Sequence, residues 1–309
     1  MTTLLVSQPN FADHRTPKGH SERADRIVAV NEALSGREFA GLVRRDAPYG
    51  DLMLAELVHD RHYLQILRDA RPAEGIRQID ADTFISEGSM DAVAVGLGGA
   101  LAALDAVVMG EVSNAFCAIR PPGHHAEIAK PMGFCLINTV AIVAREAQRK
   151  YGADRVAIVD FDVHHGNGTQ DIFADDPSVF YASSHQMPLY PGTGSPSETG
   201  VGNIVNVGLP AHSGGAAMRE AYESKILPAL ERFAPDILLL SAGFDAHYRD
   251  PLAQLEWVDE DFAWLTGKFM DVAAKCCGNR IVSLLEGGYD LKGLASGVQH
   301  HVSTLMNGR

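Results

Sequence analysis

VAIVDFDVHHGNG, residues 156–168, runs from a predicted β-strand directly into a cluster of charged and polar side chains. Its apolar first half is typical of a strand that is covered on both faces, as the strands of parallel sheets are. Similar short β-branched runs recur along the chain and predict six more strands: TLLVS (3–7), NAFCAIR (114–120), SVFYAS (178–183), NIVNVG (203–208), DILLLSA (236–242) and RIVSLLEG (280–287).

Helical spacing of apolar residues fills the stretches between these strands: 21–35, 89–109, 137–150, 215–232, 259–276 and 291–306. Strands that alternate with helices predict right-handed crossovers. We therefore expect one α/β domain over residues 1–309, a doubly wound, mainly parallel sheet with helices on both faces. Long loops at 121–134 and 184–202 are expected to be functional, since such loops are uncommon inside a compact domain.

The composition disfavours several classes of partner. Asp and Glu number 39 against 26 Lys and Arg, for a formal charge of −13, which repels nucleic-acid phosphates. The same acidity could attract cationic substrates or simply keep the protein in solution. No apolar run approaches the roughly 18 residues that span a bilayer, and residues 1–15 lack the pattern of a signal peptide. We predict a cytoplasmic protein that binds neither membranes nor nucleic acid; its oligomeric state stays open.

Polar clusters directly follow four of the predicted strands. They are RPPGHH after NAFCAIR, DFDVHHGNG at the end of VAIVDF, SAGFDAH after DILLL, and EGGYD after IVSLL. Open parallel sheets bind ligands outside the carboxyl ends of their strands. The four clusters are therefore expected to converge on one rim of the sheet.

Two of these clusters supply candidate metal ligands. Asp160, Asp162 and His164 are spaced at i, i+2 and i+4, so on an extended chain they point the same way. Asp245 adds a carboxylate from another strand end. Three protein ligands with one position left for water form the pattern of a catalytic zinc site, although iron(II) or cobalt(II) also accepts such donors. A structural network of ion pairs is the alternative interpretation.

The other two clusters supply candidate catalytic groups. RPPGHH holds two adjacent imidazoles, His124 and His125, in a loop that its prolines and glycine restrict. One of them can be a general base that later protonates a leaving amine. Tyr289, in EGGYD, can donate a hydrogen bond to the oxyanion of a tetrahedral intermediate. Each motif in isolation would be taken for an ordinary loop.

Six motifs together, RPPGHHA, GFCLIN, DFDVHHGNGTQ, YPGTG, SAGFDAH and LEGGYD, resemble the histone deacetylase superfamily in order and separation. The resemblance runs from about Ser7 to the C-terminus and includes HSERADRI (20–27). It is greatest to class II and its bacterial relatives, which include acetylpolyamine amidohydrolases. It implies an arginase/deacetylase-like fold and a zinc-dependent amidohydrolase that removes acetyl or other acyl groups from lysine side chains.

The resemblance also implies a role for each motif residue. Asp162, His164 and Asp245 correspond to the ligands of one zinc ion per chain. His125 corresponds to the general base and acid, and His124 to its electrostatic neighbour.

Further roles are implied for residues around this centre. Asp160 corresponds to the partner of His124, and Tyr289 to the tyrosine that polarises the carbonyl. An acyl-lysine tunnel is implied along Gly133, Phe134, Tyr190 and Leu252. A structural potassium ion is implied, held largely by backbone oxygens, at Asp160, Asp162, His164 and Ser183.

Three positions bear on reactivity and substrate. Asn167 would orient His125 where class I members carry aspartate, which predicts a less basic His125. Tyr190 replaces a common phenylalanine of the tunnel wall and makes the rim more polar. Leu252 lies where related polyamine deacetylases are expected to carry a glutamate, which favours acyl-lysine peptides over acetylated small amines.

Alternative functions are weighed against the same residues. An acetylpolyamine, another small amide or an ester could be hydrolysed by the same zinc site. A catalytically silent binding module predicts loss of Tyr289 or of a metal ligand, and neither is lost. A dinucleotide-binding oxidoreductase is disfavoured because the segment Gly96–Gly99 lacks the final glycine of that fingerprint.

Overall fold

A parallel sheet of eight strands forms the centre of the computed structural model, which describes residues 1–308. Its spatial order is β2-β1-β5-β10-β9-β6-β7-β8, and a separate antiparallel hairpin pairs β3 with β4. The strands are β1 Thr3–Ser7, β2 Val43–Asp46, β3 Ile76–Gln78, β4 Phe84–Ser86, β5 Asn114–Ala118, β6 Val156–Asp160, β7 Val179–Gln186, β8 Ile204–Leu209, β9 Ile237–Ala242 and β10 Ile281–Leu285.

All seven predicted strands are present, and the edge strand β2 was missed. Its sequence, VRRD, is exposed along its whole length and carries three charged residues. Charged side chains are common on edge strands, where they oppose pairing with other chains, but they remove the apolar pattern that predicts a strand. The loop predicted at 184–202 begins too early, because β7 continues to Gln186 and pairs there with β8.

Helices flank the sheet at nearly the predicted positions. They are α1 Asp25–Ala33, α2 Arg61–Ala70, α3 Ser89–Val108, α4 Thr139–Tyr151, α5 Asn167–Phe173, α6 Gly215–Ala221, α7 Leu227–Phe233, α8 Asp259–Cys276 and α9 Leu291–Asn307. A π-helical turn, Tyr222–Ile226, joins α6 to α7 within the helix predicted at 215–232. The helices α2 and α5 were not predicted.

Two apolar cores lie on opposite faces of the sheet, because successive strand residues point to opposite sides. Leu238 and Leu240 of β9 belong to a core that includes residues of α1, α8 and α9. Leu239 belongs to the other core, which includes residues of α2, α3 and α4. The structure confirms the predicted doubly wound parallel sheet with helices on both faces.

The helix α3 corrects one expectation from the sequence. Among residues 1–308 it is the one helix that is long and apolar enough to cross a membrane by length and composition. Its most apolar window is 72% buried within the fold. Gly98 of α3 packs so closely on the backbone of Pro48 and Gly50 that a Cβ atom there would collide with it. Its length and hydropathy are therefore explained by its position in the core, and they do not by themselves indicate a membrane span.

Candidate active site

The four polar clusters follow four strands that are adjacent in the middle of the sheet. β5, β10, β9 and β6 occupy consecutive places in the spatial order. Because all four are parallel, their carboxyl ends open on the same edge. The convergence expected from the sequence thus results from strand order, which places the histidine, tyrosine, aspartate and Asp-x-His segments side by side.

Asp162, His164 and Asp245 form the one group of three or more buried acidic, histidine or cysteine ligands found within residues 1–308. Their ligand atoms all lie within 4.8 Å of one another. The Nδ1 atom of His164 is 3.1 Å from Oδ1 of Asp162 and 3.2 Å from Oδ2 of Asp245. Burial and the charge of Asp162 raise the pKa of Asp245 to about 7. A bound cation would relieve this repulsion between buried carboxylates.

The surroundings of these three residues fit a metal ion. The backbone N–H of Val163 donates to Oδ1 of Asp245 (2.9 Å), which fixes that carboxylate and leaves Oδ2 toward His164. The N–H of Gly287 donates to Oδ2 of Asp162 (2.8 Å). A Cβ atom at Gly287 would collide with both aspartates, so glycine is needed for this approach. Two carboxylates and one imidazole are donors that zinc, iron(II) and cobalt(II) all accept.

The adjacent histidines have opposite electrostatic surroundings. His124 places Nδ1 2.9 Å from Oδ2 of Asp160 and Nε2 3.9 Å from Oδ2 of Asp162. Burial lowers the pKa of His124, but these two carboxylates outweigh it and raise the pKa to about 10. Burial and the neighbouring imidazoles of His124 and His164 hold the pKa of His125 well below its usual value. These surroundings favour the charged form of His124 and the neutral form of His125, whose ring centroids lie 4.0 Å apart.

Tyr289 is held at the end of β10 by several contacts. Its backbone N–H donates to Oδ2 of Asp250 (2.7 Å), and the Arg26 guanidinium lies 5.0 Å from its ring centroid. Its ring meets that of Phe134 edge to face at 5.7 Å. Burial raises the pKa of Tyr289 well above its usual value, so the phenol stays protonated and can donate a hydrogen bond.

A cavity of about 240 Å³ leads to these groups. Its lining includes His125, His164 and Tyr289 together with all four residues implied for the tunnel: Gly133, Phe134, Tyr190 and Leu252. Gly133 adopts φ 56°, and a Cβ atom there would collide with the imidazole of His125. The same cavity therefore brings together the candidate base, one candidate metal ligand and the candidate oxyanion donor.

The model of the histone deacetylase domain matches residues 20–305 of this chain. The chain belongs to the histone deacetylase family. Family membership supports activity as a deacetylase or related amidohydrolase, and it confirms the resemblance seen in the six motifs.

Several histone deacetylase relatives match over nearly all of this chain. Histone deacetylase 10, chloroplastic, of Oryza sativa subsp. japonica is 40% identical over 96% of this chain and 71% of its own length. The histone deacetylase-like amidohydrolase of Pseudomonas aeruginosa is 39% identical over 92% of this chain and 74% of its own. The crystal structure of the HDA15 HD domain superposes with a TM-score of 0.92 at 30% identity, over 99% of this chain and 90% of that one.

Two lining residues of the histone deacetylase cavity, Asp82 and Leu189, were missed in the sequence. Leu189 precedes Tyr190 and could have been inferred from it. Asp82 lies between β3 and β4, outside every motif, and its Oδ1 accepts a hydrogen bond from the N–H of Gly133 (3.1 Å). No local pattern in the sequence indicates that this hairpin reaches the cavity.

Two of the residues implied for potassium lie on neighbouring strands, and the other two, Asp162 and His164, follow the end of β6. Asp160 of β6 stands opposite Ser183 of β7 in the parallel register. The hydroxyl of Ser183 lies 2.9 Å from Nδ1 of His185. A potassium ion at Asp160, Asp162, His164 and Ser183 stays a prediction.

Proposed function

We propose that this chain is a zinc-dependent deacetylase that hydrolyses the N-acetyl or N-acyl amide of lysine side chains, with residues 1–309 as one catalytic domain. One observation carries the proposal: His164, a member of the buried Asp162, His164 and Asp245 group, lines the same cavity as His125 and Tyr289. When bound, zinc would supply a Lewis acid and lower the pKa of water toward about 7.

His125 would act as the general base and then as the general acid. Its Nδ1–H donates to Oδ1 of Asn167 (2.7 Å), which leaves Nε2 as the acceptor for a proton of the attacking water. The amide of Asn167 is itself fixed, because its Nδ2 donates to Oε1 of Glu127 (2.7 Å). As the carbon–nitrogen bond breaks, the protonated Nε2 gives its proton to the nitrogen of the departing amine. The positive charge favoured on His124 would favour the neutral form of His125 before the first proton transfer and the release of the proton in the second.

Tyr289 would stabilise the oxyanion. Its phenol lines the same cavity as His125 and His164 and can donate to the oxygen that gains charge as the carbonyl carbon becomes tetrahedral. The bonds that Asp250 accepts from the N–H groups of Tyr289 and Asp290, at 2.7 and 3.3 Å, hold this loop in place.

Asn167→Asp is expected to shift the pH profile. Aspartate would face the Nδ1–H of His125 with a negative charge, which favours the imidazolium and raises the pKa of His125. Because the base must be neutral, the acidic limb of kcat/KM should move to higher pH, so activity is lost earlier as the pH falls. The control, Asn279→Asp, adds the same charge just before β10, at the amino ends of the strands and so away from the cavity. Unmoved limbs in Asn167→Asp would contradict this role.

An acyl-lysine substrate fits the lining of the cavity. Phe134, Tyr190 and Leu252 offer aromatic and aliphatic walls for the methylene chain of lysine. Leu252 offers no charge to the second ammonium of a polyamine. Asp82 favours the alternative, because its carboxylate also lines the cavity and could attract a cationic amine.

Turnover of two substrates decides between these candidates. We expect kcat/KM for an acetyl-lysine peptide to exceed that for an acetylpolyamine by on the order of tenfold, since one lost ion pair in a partly desolvated site is worth roughly that factor. Leu252→Glu should reduce the difference in kcat/KM between the peptide and the polyamine, because the new carboxylate can pair with the second ammonium of the polyamine. A strong preference of the wild-type protein for the polyamine would refute the lysine assignment, and hydrolysis of neither would point to another small amide or ester.

The remaining parts of the proposal rest on the sequence. They are a structural potassium ion, a cytoplasmic location, and acetylated lysine proteins or small acetylated amines as partners, without nucleic acid or membrane.

A further inference from the structure

Glu22 is a fully buried carboxylate that no motif of the proposed reaction uses. It lies just before α1 and binds two buried arginines. Arg120 donates to both oxygens, Nε to Oε1 and Nη2 to Oε2, each at 2.7 Å. Arg26 donates from Nη1 to Oε1 at 3.3 Å. Nε2 of His14 lies 3.4 Å from Oε2. Two buried guanidinium groups would repel each other without this carboxylate between them.

Each of these arginines contacts one catalytic loop. Arg120 is the first residue of the histidine loop, residues 120–125, and its Nη1 is anchored on the carbonyl of His14 (2.6 Å). Arg26 donates from Nε to the carbonyl of Gly288 (2.7 Å) and from Nη2 to the carbonyl of Glu286. These carbonyls belong to the tyrosine loop, residues 286–290, and the same guanidinium lies against the ring of Tyr289.

Glu286 joins the two loops directly. Its Oε2 accepts hydrogen bonds from the backbone N–H groups of Gly123 (2.6 Å) and His124 (3.2 Å). Its own carbonyl accepts from Arg26. The contacts therefore form a closed circuit: Glu22 binds Arg120, the histidine loop binds Glu286, the tyrosine loop binds Arg26, and Arg26 returns to Glu22.

We propose that Glu22 is a positioning residue that fixes the histidine loop and the tyrosine loop relative to each other. The inference rests on the proposed function, because it assumes that His125 and Tyr289 act on one carbonyl. Proton transfer and oxyanion stabilisation both require the two groups to reach their atoms at once, and a displacement of about 1 Å can cost on the order of a hundredfold in rate. A single carboxylate bonded to both arginines controls that spacing.

Two substitutions of Glu22 test this role. Glu22→Gln removes the charge and turns one acceptor into a donor that opposes a guanidinium. Glu22→Asp keeps the charge, which protects the fold, but its side chain is one methylene too short to keep all three arginine contacts. We expect kcat to fall on the order of tenfold to a hundredfold in both, with KM changed much less. Full kcat in Glu22→Asp would overturn the proposal.

A double substitution separates positioning from general damage. In the Tyr289→Phe background the hydroxyl is already absent, so displacement of the tyrosine loop can no longer weaken its hydrogen bond to the oxyanion. Glu22→Asp should therefore reduce kcat by a smaller factor in that background than in the wild type. Equal factors in both backgrounds would mean that Glu22 does not act through the tyrosine loop.

Amide hydrogen exchange tests the circuit without any activity. In Glu22→Asp, peptides that cover residues 119–125 and 286–290 should both exchange faster, while β9 should be unchanged. The control, Asp261→Asn, alters another buried carboxylate, on α8, which pairs with the partly exposed Arg219 (2.7 Å). It should lower the melting temperature without faster exchange in either loop. Faster exchange in one loop alone, or throughout the chain, would overturn the proposal, whereas an inactive wild type would defeat only the proposed function.

Discussion

Asp245→Asn is expected to purify without its metal and to lose at least about a thousandfold in deacetylase activity, because a catalytic metal contributes several kcal/mol to the transition state. Asparagine keeps the shape of the side chain, and its oxygen can still accept from the N–H of Val163. It removes the negative charge at Oδ2, 3.2 Å from Nδ1 of His164, where the ligand atoms converge.

Metal content and melting temperature measure this effect separately. A ligand that binds only the folded state stabilises it by mass action, so chelation should lower the melting temperature of the wild-type protein. The melting temperature of Asp245→Asn should not respond to chelator. The Asp261→Asn control, which alters a buried carboxylate outside the cluster, should retain both metal and chelator response. A wild-type enzyme that is active without transition metal would remove the basis of the assignment.

Tyr289→Phe is expected to lower kcat by on the order of a hundredfold or more, the typical cost of one missing oxyanion donor. KM and metal content should change little, because the phenyl ring can keep its edge-to-face contact with Phe134 and its contact with the Arg26 guanidinium. A loss confined to kcat is the signature of an interaction made in the transition state.

A matched tyrosine controls for the lost hydroxyl. Tyr222 is also buried, and its hydroxyl lies 2.8 Å from that of Ser184, away from the cavity lining. Tyr222→Phe should destabilise the fold by about 1 kcal/mol while leaving kcat unchanged. Full activity in Tyr289→Phe, with Tyr222→Phe behaving as stated, would exclude the phenol as the oxyanion donor.

Much of the fold and the centre of the site follow from local sequence. An apolar run such as VAIVD indicates within five residues that both faces of the strand are buried, so β6 could be predicted without knowledge of its neighbours. Asp162 and His164 belong to one motif that directly follows that strand, but the chain bends at these residues, so the extended geometry expected from their spacing is not what brings their side chains together. The edge strand β2 and the hairpin that carries Asp82 could not be predicted, because exposed or polar segments lack the apolar pattern that indicates burial.

The sequence by itself determined the parallel sheet, the rim where four motifs end and the residues that meet there. Only the tertiary structure decided that the pKa of His124 is raised and that of His125 lowered, that Asp250 holds the loop of Tyr289, and that Glu22 contacts the arginines of both catalytic loops. The physical reason is distance along the chain. Glu22 and Arg120 are 98 residues apart, and Arg26 and Gly288 are 262 apart. Periodicity reports the environment of neighbouring residues, whereas electrostatics and positioning depend on groups that only folding brings together.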